Sequence, residues 1–144
     1  MNSKINAILK VKKDKEKITQ YNILKLQNEI SKLQKHISEL KSKIKNSNNE
    51  KVISAYELKL VYIYKNSLQK EISSYKKELS ALNKRLNTLR DKLKELQIEI
   101  LKYETILKKE KEKLIEEEKR KELNLMNDIN NINSARKLIF LDNI

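Results

Sequence analysis

Residues 23–44 read ILKLQNEISKLQKHISELKSKI, and their apolar positions decide the fold. Ile23, Leu26, Ile30, Leu33, Ile37, Leu40 and Ile44 recur at alternating steps of three and four. On an α-helix that spacing draws one narrow apolar stripe, the seam of a coiled coil. With Ile23 counted as position a, Ile holds every a and Leu every d. This pairing suits two strands and leaves their orientation open.

Outward from that seam the chain contains neither glycine nor proline in 144 residues. Glycine supplies the positive φ of tight turns, and proline stops helices by removing an N–H. A chain lacking both is suited to long helices and poorly suited to the corners of a multi-element domain. Charged residues make up 37% and aromatic residues 5%, with no Trp and Phe140 the single Phe. That allowance fills a seam but not a thick globular core, and the regular spacing argues against disorder. With no Cys, disulfides and thiolate metal sites are excluded. The opening MNSKINAILKVKKDK has no apolar h-region, so no signal peptide is expected. The uninterrupted apolar stretches 60–64 and 138–141 fall far short of the roughly 20 residues of a membrane span. A soluble cytoplasmic protein is the expectation.

Towards the N-terminus, apolar residues are looser, at Ile5, Ile8, Leu9, Val11 and Ile18, with Asn2 or Ser3 placed to cap the helix. Towards the C-terminus the seam breaks at Asn46-Ser47-Asn48-Asn49. Asn tolerates the left-handed conformation that ends a helix where glycine is missing. Ser47 followed by Glu50 fits a capping box for the next helix. A hairpin turn is therefore expected here. A second helix follows, first with a noisier seam at Ile53, Tyr56, Leu60 and Ile63. From Leu68 it becomes strict, through Ile72, Tyr75, Leu79, Leu82, Leu86, Leu89, Leu93, Leu96, Ile100, Tyr103 and Leu107. Residues 108–122 then hold 13 charges and only Leu114 and Ile115 as apolar members. Glu116–Arg120 and Glu117–Lys121 pair at i,i+4 and keep this solvated stretch helical. Leu125, Ile129 and Ile132 extend a weak seam before an Asn-rich end, and residues 138–141 form a small apolar hook.

The expected fold class is all-α, a long two-helix antiparallel coiled-coil hairpin with a longer second helix. The chain is one rod, with helix 1 over about 3–45, a turn over about 46–50, helix 2 over about 51–134 and a frayed tail over 135–144. Folding back near residue 47, helix 1 covers helix 2 only to about residue 95.

The net charge of +13 is uneven. Residues 1–48 hold 12 Lys against 4 acidic residues, residues 49–107 hold 12 basic against 8 acidic, and residues 108–144 hold 9 against 8. With 29 Lys and 4 Arg, diffuse charge is favoured over the bidentate forks that read phosphates and bases. Lys-, Asn- and Ile-rich composition also follows from AT-rich coding. Lys10, Lys12, Lys13, Lys15 and Lys17 form a basic cluster, either a solvated helix face or a dock for an acidic protein surface. Val61, Tyr62 and Tyr64 fall off the expected seam and are either partner contacts or fillers of a slipped register. His36 lies at a g position, with nothing beside it to complete a triad or metal site. Glu116-Glu117-Glu118 is a solvated face, since successive residues point in different directions. No catalytic residue, cofactor site or metal site is expected, and no enzyme. Nucleic acid is disfavoured as a partner because the lysines are not interleaved with aromatics.

The layout resembles the FliJ/YscO family, the central stalk proteins of the flagellar and type III secretion export ATPase. INAILKVKKDKEKITQYNILKLQNEISKL at 5–33 is similar to the family's opening, and VYIYKNSLQKEISSYKKEL at 61–79 to its stretch after the hairpin. KYETILKKEKEKLIEEEKRKELNLMNDINNINSARK at 102–137 resembles its charged C-terminal pattern, with Asn130 a departure. The resemblance implies a non-enzymatic stalk in bacterial flagellum biogenesis, motility or type III protein transport, cytoplasmic and peripheral at the base of the apparatus. Its implied partners are a hexameric export ATPase, an export-gate membrane protein and export chaperones. The ATPase contact then falls to the basic cluster, and the gate or chaperone contact to Val61, Tyr62 and Tyr64. The alternative is a generic coiled-coil tether or filament that dimerises in parallel.

Overall fold

A computed structural model describes residues 2–48 and 54–142, and it is helical almost throughout. Helix α1 runs Asn2–Ser47 and helix α2 runs Ala55–Asp142. The chain divides into two compact units, Lys10–Ile98 and Met1–Leu9 with Glu99–Ile144.

Within Lys10–Ile98 the helices are antiparallel, since early α1 residues meet late α2 residues. Ile23, Leu26 and Ile30 cluster with Leu86, and Leu79, Leu82, Leu89 and Leu93 pack against them. Nearer the turn, Ile37 and Leu40 cluster with Leu68 and Ile72, flanked by Leu33, Ile44, Tyr75 and Leu79. Each is a two-sided apolar layer of the kind an a/d stripe makes with a facing helix. All seven α1 seam positions from Ile23 to Ile44 are buried or half-buried, and so are all twelve on α2 from Leu68 to Leu107.

The seam departs from expectation at three places. On α1 it continues in the same three–four rhythm toward the N-terminus, through Thr19, Glu16, Lys12 and Leu9 to Ile5. Leu9 and Thr19 are buried, while Ile5, Lys12 and Glu16 are half-buried. Val11 and Ile18 lie off the stripe and are exposed. The buried Thr19 hydroxyl is satisfied by donating to the Lys15 carbonyl at 2.8 Å.

The second departure is the turn. Ser47 belongs to α1 and donates its hydroxyl to the Ile44 carbonyl at 2.8 Å, so it does not cap α2. Its expected partner Glu50, like Asn49 and Ile53, lies outside the described residues. The observed cap is Ser54, whose Oγ accepts from the Glu57 backbone N–H at 3.2 Å. Its carbonyl accepts the first helical bond from Leu58 N–H at 3.1 Å. Ser54-Ala55-Tyr56-Glu57 has the S-x-x-E spacing of a capping box. No described non-glycine residue has positive φ, so Asn46 and Asn48 do not end α1 by the left-handed route.

The later start of α2 shifts the overlap of the two helices. On α2, half-burial persists through Glu110 rather than ending near residue 95, and residues 111–140 are exposed. Residues 138–140 are the end of the α2 helix rather than a separate hook, with Phe140 exposed.

The third departure is the start of α2. Tyr56, Leu60 and Ile63, expected in the seam, are exposed, and the lattice passes instead through half-buried Val61 and Lys65 to Leu68. Asn48, at the end of α1, accepts a hydrogen bond at its side-chain oxygen from Lys65 Nζ. The seam on α2 therefore starts at Val61, and residues 55–60 precede it, about 9 Å of helix at 1.5 Å per residue.

Candidate functional site: two unpaired helix ends

Three surfaces follow from this architecture. In the unit Lys10–Ile98, the basic cluster lies on the first turns of α1. Lys10, Lys13 and Lys17 are three and four residues apart, which puts them on one exposed face. Lys15 is exposed on another flank. Lys12 is different, because it occupies a seam position and is half-buried. Asp14 and Glu16 interleave with these five lysines and reduce the local charge to +3.

The second surface is the start of α2. Tyr62 is 69% exposed and Tyr64 47%, while Val61 is half-buried in the slipped seam. Around them Tyr56, Leu58, Leu60 and Ile63 are also exposed, which the sequence reading missed by assigning three of the four to the seam. The available signal was the Ser54–Glu57 capping box, which fixes where α2 starts relative to the end of α1.

The third surface lies in the unit of 1–9 and 99–144. Beyond Glu110, α2 carries Leu114, Leu125, Ile129 and Ile132 about half exposed or more, without a facing helix among the described residues. Residues 111–140 make about 45 Å of solvated helix.

None of these surfaces has the makings of a reaction centre. His36 is exposed and stacks edge-on against the half-buried Tyr75, with ring centroids 4.8 Å apart and planes at 83°. That contact uses the imidazole as a packing group beside the seam. The ring also borders an open groove lined by Glu29, Lys32 and Glu78. No group of three or more His, Cys, Asp or Glu that could hold a metal ion occurs among the described residues. No described helix is long and apolar enough to cross a membrane.

The seam defines a class of protein, an all-α two-helix antiparallel coiled coil. The chain belongs to the family described as Flagellar FliJ protein, which it matches over residues 1–138. It is thus associated with flagellar or type III export, in a family of structural stalk proteins rather than enzymes. No curated protein and no solved structure matches the chain.

Proposed function

We infer that the chain is a coupling stalk that binds and stimulates a hexameric export ATPase and links it to the export gate and its chaperones. The observation that carries this reading is the run 111–140 of α2, helical yet exposed along its whole length. A helix that has lost its partner but keeps Leu125, Ile129 and Ile132 at three- and four-residue spacing is suited to a surface supplied by another protein. Membership of the family supports an export apparatus as the source of that surface. Lys10, Lys13, Lys15 and Lys17 would add attraction to an acidic lining, with Lys12 holding the seam beside them. Val61, Tyr62 and Tyr64 would serve the gate or a chaperone at the other end of α2.

The test is stimulation of the cognate ATPase by the purified chain. Leu125→Asp with Ile129→Asp should abolish stimulation and leave the paired seam intact by circular dichroism. Full stimulation by that variant would refute the reading and leave a generic coiled-coil tether.

A further inference from the structure

The start of α2 exposes apolar side chains over much more than one face. At about 100° per residue, Tyr56, Leu58, Leu60, Tyr62, Ile63 and Tyr64 spread over an arc of about 240° that also holds Lys59, and all six are exposed, while Glu57 and half-buried Val61 occupy the remaining side. A helix that docks on a protein groove needs one apolar stripe about 100° wide, whereas an arc more than twice as wide fits a medium that wraps around the helix. The segment Ala55–Tyr64 has this character because α1 ends at Ser47, and within the segment only Val61 is half-buried. It is too short to span a bilayer, whose hydrocarbon core is about 30 Å thick.

A second observation identifies the medium. Lys41, Lys43 and Lys45 on the last turns of α1 and Lys59, Lys65 and Lys70 on α2 gather at this end of the hairpin. Among described residues 41–48 and 54–70 the only acidic side chain is Glu57. The connecting residues 49–53 add one Glu and one Lys and leave the balance unchanged. A lysine collar behind an aromatic and aliphatic tip fits a surface that is anionic outside and apolar beneath. Tyrosines favour that boundary, and lysine stems reach back from it to the phosphates.

We propose that the hairpin tip inserts its first α2 turns into the headgroup region of an anionic lipid bilayer. Insertion is peripheral. Leu58, Leu60 and Ile63 enter the acyl boundary, the three tyrosines sit at headgroup depth, and the exposed lysines Lys41, Lys43, Lys45, Lys59 and Lys70 hold the phosphates. The Ser54 cap lets the helix start inside this region with its Glu57 N–H already satisfied. This proposal is independent of the ATPase contact inferred above, which falls to other residues, and it offers lipid in place of the gate or a chaperone as what Tyr62 and Tyr64 meet.

The test is flotation of the full chain with vesicles of phosphatidylcholine alone or mixed with phosphatidylglycerol, with no other protein present. Binding is expected to the mixed vesicles and to fall steeply as salt rises. Leu58→Ser with Leu60→Ser should weaken it by at least about tenfold, while Val11→Ser with Ile18→Ser, equally exposed on α1, should leave it unchanged. An environment-sensitive probe at position 60 should become shielded from an aqueous quencher on mixing, and one at position 98 should not. Equal loss in both double variants, or shielding at neither position, would show lysine adsorption without insertion and overturn the proposal. Failure to float, with the tip still capturing an export-gate protein, would overturn it too and assign the tip to a protein partner.

Discussion

Replacing Leu86 by alanine tests whether the seam is the source of stability. Leu86 is 6% exposed and is the α2 member of the cluster with Ile23, Leu26 and Ile30. The change removes three carbons, worth about 2.4 kcal/mol at about 0.8 kcal/mol per buried CH₂. A two-helix layer is open at its flanks, so Leu82 and Leu89 relax into part of the space and the cavity penalty stays small. A loss of about 2–3 kcal/mol is expected, at the lower end of the range for Leu→Ala in cores. Leu114, 53% exposed and beyond the paired region, should lose about 1 kcal/mol or less when changed to alanine. Urea unfolding followed at 222 nm measures both, with the slope checking that the unfolded surface is unchanged. Equal losses at the two positions would show that residues 111–140 are covered by another chain, and the account of an unpaired helix end would fall.

Spin labels at positions 43 and 70 in a dilute sample should lie within roughly 20 Å, two helix diameters, whereas one continuous helix would put them about 40 Å apart. Ser54→Ala should cost about 1 kcal/mol of stability through loss of the cap, and Glu57→Gln distinctly less because the Ser54 bond to its backbone remains. Glu16→Leu, at a half-buried seam position, should raise the melting temperature, with a gain of about 1 kcal/mol in urea titrations. Reversing Lys10, Lys13 and Lys17 to Glu should slow association with the ATPase at low salt, seen in stopped-flow binding, without changing helix content.

The hairpin was legible because Ile and Leu alternate so regularly that residue identity and position agree. Where they disagree, the sequence misleads. Between residues 5 and 19 the lattice positions hold Ile5 and Leu9 but also Lys12, Glu16 and Thr19, while the conspicuous apolar residues Val11 and Ile18 stand outside it. Following the three–four count backwards from Ile23 finds the right face, whereas following hydrophobicity goes astray at Val11 and Ile18. At the turn, the Asn-rich run drew attention from the less conspicuous Ser54-Ala55-Tyr56-Glu57, where backbone hydrogen bonding begins α2. Tyr56, Leu60 and Ile63 keep seam spacing among themselves, but they are out of register with the lattice Val61, Lys65 and Leu68, so Ile63 is exposed between two half-buried neighbours. Spacing records what a helix offers, whereas burial depends on what lies opposite. The basic cluster shows the same limit, because five consecutive-looking lysines divide into an exposed face, a separate flank and one seam position.

The polar seam residues Lys12, Glu16 and Thr19 have a kinetic consequence. Two apolar clusters clamp residues 23–40 of α1, whereas the first five turns rest on a ladder with charged and hydroxyl rungs. Local opening therefore starts at the N-terminus of α1 and meets resistance at Ile23, like a zipper with a stop. Amide deuterium uptake should reach residues 5–20 well before residues 26–44, and each opening strips cover from α2 without unfolding the clamp. The chain thus carries, in one uninterrupted seam, a latch that releases and a hinge pin that does not.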